Sequence, residues 1–350
     1  MAFSPAPLDV NEVLTKEWLS AALSEGRDPV GVKAFEVVET LGPSALKIRI
    51  KLDFDGAPPV DTPSQICIKG IFNPELSQWL KSGAQHAETN FYRILAPRLG
   101  VRVPRAVYTG LDYDTMAGVV IMEDLIPKGV HFLTALSPYT PEQAEQSVDQ
   151  LARLHGGAWN PAPDVEPWIT PKLGAMARTQ PMAPSRLTEL LNGERGEAIP
   201  DDIKDGPRIY SALIAMAEKA ESLGCCFVHG DAHAGNVWEG PEGVGLVDWQ
   251  VLQRGHWSMD LAYHIAAALD VEDRRRSERD LIRLYLERLT AHGGGEISFD
   301  DAWRQYQAAT PYGMFMWGIT QRVDPPIIRQ FVTRLGTAVA DHKGFDLLGV

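Results

Sequence analysis

The chain has 350 residues, 45% hydrophobic and 23% charged, the proportions of an ordinary folded chain long enough for one large domain or two lobes with separate cores. Acidic residues outnumber basic ones by 46 to 33, and a net charge of −13 gives no general attraction to nucleic acid or to an anionic membrane, so neither is expected as a partner. No basic segment followed by an apolar core opens the sequence, no window approaches about eighteen uninterrupted apolar residues, and Cys67, Cys225 and Cys226 suit buried thiols, so a cytoplasmic protein is expected.

In chain order, AFEVVETL (34–41) and KIRIKLDF (47–54) are runs of β-formers separated by GPSAL. QICIKG (65–70) alternates as a third strand, with Ile66 and Ile68 on one face and Lys69 on the other. Taken alone, Lys69 reads as an ordinary strand lysine facing water. In SQWLKSGAQHAETNFYRIL, Leu80, Ala84, Ala87, Phe91 and Ile94 recur at three- and four-residue steps, the stripe of an amphipathic helix, and Glu88 sits beside it. GVVIMEDL (118–125) is apolar until Glu123 and closes a sheet-rich first lobe over residues 1–122, with a hinge at 123–125. In YTPEQAEQSVDQLARLHG, Thr140 is the expected N-cap, Pro141 the first helical residue and Gln143 the partner in a capping box. Residues 159–207 hold eight prolines and read as a long irregular insertion. From Arg274 onward three helical patterns, broken at HGGG and DPP, complete a mainly helical second lobe over 126–350.

The stretch FVHGDAHAGNVW (227–238) places His229, Asp231, His233 and Asn236 within eight positions, an unlikely way to build a core. After it, GPEG is a turn signal between two apolar runs. A hairpin there sets Asn236 opposite Val247 and next to Asp248, so that two oxygen ligands converge, with Asp231 on the same loop. Mg²⁺ is bound by such oxygens together with phosphate oxygens, which is the layout of phosphoryl transfer. A second reading gives His229, Asp231 and His233 to a zinc ion with help from His256 or His264, as in a metal-dependent hydrolase. Against it, alternate residues face one metal only on an extended strand, and Gly230 and Gly235 favour a turn. A third is a nucleotide-binding pseudokinase, which the intact Asp231, Asn236 and Asp248 oppose.

HGDAHAGN resembles the H-G-D-x-H-x-x-N catalytic loop of the aminoglycoside phosphotransferase and choline kinase-like superfamily, related to protein kinases, and VDWQ is similar to the metal-binding segment that follows it. The glutamine of VDWQ is similar to the ecdysteroid-kinase-like branch. The resemblance implies an α+β, bilobal protein-kinase-like fold with a β-rich N-lobe and a mainly helical C-lobe. It also implies an ATP- and Mg²⁺-dependent enzyme that phosphorylates a hydroxyl of a small molecule. Asp231 would be the base, and Asn236 and Asp248 the metal ligands. Lys69 would hold the α and β phosphates and pair with Glu88, in a cleft between the lobes, and the backbone of Glu123 and Leu125 in IMEDL would bind adenine, so that substitution of the Asp124 side chain should hardly change ATP affinity. In SMDLAYHI, Asp260 would brace the catalytic loop. LGPSALKI departs from the pattern: the loop over the phosphates should be glycine-rich, yet only Gly42 is present, so phosphate contacts are expected at Ser44 and Ala45.

His229 is expected to be a structural histidine and His233 a loop brace or a substrate contact. Trp303, Tyr306, Tyr312, Phe315 and Trp317 either line an acceptor pocket or pack between helices. The sequence shows no dense acidic cluster suited to a polycationic aminoglycoside.

Overall fold

The structure is a computed structural model that describes residues 3–42, 45–72 and 82–350. Its strands β1 (Val32–Leu41), β2 (Leu46–Phe54), β3 (Gln65–Gly70), β4 (Ala106–Asp112) and β5 (Ala117–Glu123) form one sheet in the order β1-β2-β3-β5-β4. All its pairings are antiparallel. Alternation decides the two faces. Ile48, Ile50 and Leu52 of β2 and Ile66 and Ile68 of β3 are buried in one apolar cluster with Trp18, Leu19 and Leu23. Those last three come from a helix at Lys16–Ser24, capped by the Thr15 hydroxyl, which the sequence reading did not anticipate. The register sets Lys47 opposite Lys69 and Arg49 opposite Cys67, so these four share the other face.

The amphipathic stripe forms a helix at Ala84–Asn90, a π turn at Phe91–Leu95 and a last turn at Ala96–Leu99, whereas Leu80 lies outside the described residues. Contacts divide the chain into two compact units. The first comprises residues 1–98, 103–130 and 248–251, and the second residues 99–102, 131–247 and 252–350. The short segment Asp248–Val251 thus packs with the sheet unit although it follows residues 229–246 of the helical unit closely in sequence.

The second unit is mainly helical. Its first long helix, Pro141–Gly156, starts with the expected capping box: Thr140 Oγ1 accepts the Gln143 N–H, and Gln143 Oε1 accepts the Thr140 N–H. Residues 159–207 correct the irregular-insertion reading. They contain helices at Leu173–Thr179 and Pro184–Asn192, and Ile169, Leu187, Leu191 and Ile199 are buried. Pro184 sits in the first turn, where its missing N–H has no intrahelical partner to lose, so it starts the helix. Two small sheets frame residues 229–236: β7 (Cys226–Val228) pairs with β10 (Gln253–Gly255), and β6 (His131–Phe132), β8 (Val237–Gly240) and β9 (Gly243–Leu246) form a three-stranded sheet. The hairpin turns between Gly240 and Gly243 as the turn signal predicts.

Candidate active site

In the sheet unit, Lys69 is not the solvent-facing lysine of an isolated strand. Its side chain is 4% exposed, and its ammonium donates to Glu88 Oε1 at 2.7 Å and lies 3.2 Å from Asp248 Oδ1. Burial opposes its charge, but Asp248 and Glu88 outweigh burial, and the Lys69 pKa moves upward. Glu88 has further donors: the Trp249 N–H reaches Oε1 at 3.3 Å and Gln250 Nε2 reaches Oε2 at 3.5 Å. Trp249 stacks on Phe91 with ring centroids 3.5 Å apart and planes at 9°, which ties the VDWQ segment to the helix carrying Glu88. Asp248 has φ +69, a left-handed conformation that costs a non-glycine residue energy and is typical of functional sites.

Of the two residues expected at the phosphate loop, Ser44 lies outside the described residues. Ala45 packs partly against the apolar cluster, and its carbonyl approaches Gly42 so closely that a Cβ there would lie 2.5 Å away. With φ +97, Gly42 is a position only glycine fills without strain. At the end of β5, the Leu125 carbonyl accepts from the N–H groups of Lys128 and Val130, and the Leu125 N–H has no backbone acceptor among the described residues. The Glu123 N–H is taken by the Arg105 carbonyl. The Asp124 side chain is buried, accepts Arg49 Nε at 2.9 Å and caps the Ile126 N–H at 3.1 Å.

In the helical unit, the loop after β7 is held from below by one buried carboxylate. Asp260 accepts the His229 N–H at 2.5 Å on Oδ2 and the Gly230 N–H at 2.8 Å on Oδ1, and His155 Nε2 adds a contact at 3.1 Å. This is the bracing role expected of Asp260. His229 is structural: Nε2 donates to the Val247 carbonyl at 3.0 Å, so Nδ1 is the acceptor for the Asp231 N–H at 3.2 Å. With both ring nitrogens engaged inside the loop, His229 has no lone pair for zinc. Among the described residues no group of three or more His, Cys, Asp or Glu could hold a metal ion.

Asp231 itself is partly open, with its side chain 25% exposed. The Tyr263 hydroxyl donates to Oδ1 at 3.0 Å, and Asn236 Nδ2 donates to the Asp231 carbonyl at 2.8 Å and to Oδ2 at 3.3 Å. Burial and the nearby carboxylate push the Tyr263 phenol well above its usual pKa, so it remains a donor at any working pH. Asn236, with its NH₂ anchored to Asp231, keeps its amide oxygen for another ligand. The Val247 N–H donates to the Asn236 carbonyl at 2.9 Å, and Asp248 is the next residue along the chain. His233 Nδ1 accepts the Gly235 N–H at 2.9 Å, so the proton sits on Nε2, 3.6 Å from Asp231 Oδ2.

Of the aromatic residues weighed for an acceptor pocket or for helix packing, Tyr306, Tyr312 and Phe315 are fully buried. Tyr306 donates to Glu278 at 3.1 Å, Phe315 packs on Tyr210, and Tyr312 donates to the Gly230 carbonyl at 2.5 Å. Trp317 also meets the loop, with its ring 5.0 Å from that of His233. Sequence reasoning missed Tyr263, although it stands one helical turn after Asp260 on the same face of the Trp257–Ala268 helix, and it did not foresee the bond of Tyr312 to the loop.

A five-stranded sheet unit with a buried Lys–Glu pair and a mainly helical unit carrying a braced Asp–Asn loop define an α+β, protein-kinase-like fold. Solved structures similar to this chain carry the same fold. They include choline kinase from Cryptosporidium parvum Iowa II, 10% identical over 89% of each chain with TM-score 0.52. A choline/ethanolamine kinase family protein from Mesorhizobium loti is 15% identical over 95% of this chain and 97% of its own, with TM-score 0.50. The GDP and kanamycin complex of APH(2")-IIia is 11% identical over 93% and 99%, with TM-score 0.51. No curated protein matches the sequence. Residues 74–305, more than half of the chain, match the phosphotransferase enzyme family, and the chain belongs to that family, within the aminoglycoside phosphotransferase and choline kinase-like superfamily.

Proposed function

We propose that the protein is a small-molecule kinase that moves the γ-phosphoryl group of ATP to a hydroxyl of its acceptor, with Asp231 as the base. The observation that carries this reading is the state of the two carboxylates at the loop: Asp260, on the Trp257–Ala268 helix, is fully buried and spent on backbone donors, whereas Asp231 is partly open and fixed by neutral donors. In the reaction the acceptor oxygen forms a bond to the γ-phosphorus, the bond from that phosphorus to the bridging oxygen breaks, and ADP leaves with the bond's electrons. The acceptor's proton passes to Asp231, late, because phosphoryl transfer needs orientation and charge neutralisation more than deprotonation.

The remaining roles follow the chemistry of each group. Lys69, kept cationic by its carboxylates, holds the α and β phosphates. The free amide oxygen of Asn236 and the carboxylate of Asp248 are the hard donors proposed for Mg²⁺, which neutralises phosphate charge when bound. The backbone at Glu123 and Leu125 is the proposed adenine contact, with the Leu125 N–H as its donor, and residues 42–45, with Ser44 and Ala45, the proposed phosphate cover. The proposed lobes are 1–122 and 126–350, joined at 123–125. No described helix is long and apolar enough to cross a membrane, and the proposed location is the cytoplasm.

The test is nucleotide consumption with Mg²⁺ across four acceptor classes: choline-like amino alcohols, aminoglycosides, sugars and sterol-type alcohols. The last class follows from Gln250 and the ecdysteroid-kinase-like branch. Because one structurally similar enzyme was solved with GDP, ATP and GTP are both supplied. We expect one class to raise consumption at least about tenfold over water, and EDTA to abolish it. Acceptor-dependent turnover that survives EDTA or Asp231→Asn overturns the reading.

A further inference from the structure

The helical unit holds a cavity of about 720 Å³ walled by the helices Gly206–Leu223, Leu173–Thr179 and Phe299–Ala309 and by the turn from Arg254 to Met259. No residue of the loop 229–236 lines it, so it is separate from Asp231 and its partners. Its floor is apolar and buried, formed by Leu173, Met216, Met259 and Leu348. Its mouth is apolar as well, with Leu223 49% and Leu347 37% exposed, more than scattered surface leucines explain because both border one concavity. The volume is that of a small-molecule site rather than a packing defect.

Charge at this cavity runs against the chain's balance. The overall net charge is −13, yet Arg178 and Arg304 both line the cavity, and neither makes a hydrogen bond, an ion pair or a ring contact among the described residues. Several other polar groups of the lining are already engaged, whereas Gln305 Oε1 is buried with no hydrogen-bond partner among the described residues. Lys219 donates to the Leu347 carbonyl at 2.9 Å, Arg254 donates to the Ile169 and Pro161 carbonyls, and Asp301 accepts from Ser298 at 2.7 Å. Glu218 is the lining carboxylate without such a partner, which leaves two uncommitted cations against one anion. The placement of Arg178 is specific. A Cβ at Gly174 would lie 3.1 Å from Arg178 Nη2 and 3.3 Å from Ala217 Cβ, so the absence of a side chain at Gly174 lets the guanidinium lie against the wall that Gly174 and Ala217 share.

We infer that this cavity is a second ligand site that takes an amphipathic anion, an apolar body of roughly ten carbons headed by one carboxylate or phosphate. The body covers the leucine and methionine floor, and the head accepts from Arg178 and Arg304, whose planar forks suit both oxyanions.

Isothermal titration of the full chain with decanoate, decyl phosphate, decanol and decyltrimethylammonium tests it. We expect at least one anion to bind at least about tenfold more tightly than the alcohol and the ammonium. The double variant Arg178→Glu/Arg304→Glu should remove that preference, Ala308→Trp should fill the cavity and weaken all ligands, and Asp231→Asn should bind the anions as the wild type does. Far-ultraviolet circular dichroism checks that each variant is folded, and Arg178→Met/Arg304→Met replaces the charge reversal if that variant is not. Equal affinity for anion, alcohol and ammonium, anion binding unchanged in the arginine variants, or no binding of either anion at millimolar concentration overturns the inference. A preference for decyl phosphate over decanoate identifies the head group as phosphate, and the reverse identifies it as carboxylate.

Discussion

Lys69 and Asp231 are both charged groups at proposed functional positions, and the molecule holds them in opposite ways. Lys69 is buried and kept cationic by two carboxylates, Glu88 and Asp248. Asp231 is a quarter exposed and is fixed by neutral donors, the Tyr263 phenol and the Asn236 amide. The difference matches the role proposed for each charge. A cation that must meet phosphate has to stay charged when buried, which takes counter-charges. A base has to be aimed without being neutralised, which takes hydrogen bonds from uncharged groups. Asp260 is a third case, a carboxylate wholly spent on holding backbone.

The largest effect that would break this comparison belongs to Asp260. Asp260→Ala leaves the N–H groups of His229 and Gly230 and the ring of His155 without their acceptor in the interior, and should cost about 3–5 kcal/mol in chemical denaturation. A variant as stable as the wild type would deny the bracing role. Next comes the buried pair. Lys69→Met alone strands Glu88 and should destabilise by about 3 kcal/mol, whereas Lys69→Met/Glu88→Leu should recover most of that stability while nucleotide binding stays lost. Recovery of both would show that the pair serves packing only.

A smaller effect is the pH response of the helical unit. His264 is buried, donates Nδ1 to the Ala232 carbonyl at 2.8 Å and accepts the Ser147 hydroxyl on Nε2 at 2.6 Å; burial pushes its pKa down to about 4. Its unfolded value is higher, so the unfolded chain binds the extra proton, and stability is lost as pH falls from the unfolded value toward 4. Between pH 7 and pH 5 this residue should account for about 2 kcal/mol, and His264→Gln should flatten the slope by that amount. An unchanged slope contradicts it. The smallest sharpens the account of the base. Tyr263→Phe should lower turnover about tenfold and leave nucleotide affinity unchanged, and a loss of affinity with turnover intact would assign Tyr263 elsewhere.

Much of this arrangement was legible in the sequence where local chemistry decides the structure. Runs of β-formers gave β1 and β2, alternation gave β3, an apolar run gave β5, the capping box gave the Pro141 helix, and the GPEG turn put Asn236 opposite Val247. What was not legible depends on distant partners. β4 escaped notice because Gly110 weakens a strand pattern, and that glycine is there because the Pro5 carbonyl approaches so closely that a Cβ would lie 1.8 Å from it. The Tyr312 bond to Gly230 spans 82 residues, and no periodicity reports it. The prolines of 159–207 suggested irregularity, but Pro184 and Pro207 stand in first helical turns, where proline starts rather than breaks a helix.

The central claim is that Asp231 acts on the acceptor and Asp248 on the nucleotide's metal, and calorimetry of Mg²⁺-nucleotide binding paired with turnover on a confirmed acceptor tests it most directly. Asp231→Asn should bind Mg²⁺-nucleotide nearly as the wild type does and lose on the order of a hundredfold or more in rate, while Asp248→Ala should fail at binding as well. If Asp231→Asn keeps most of its turnover, or if both variants lose binding alike, the division of labour between these two carboxylates is wrong.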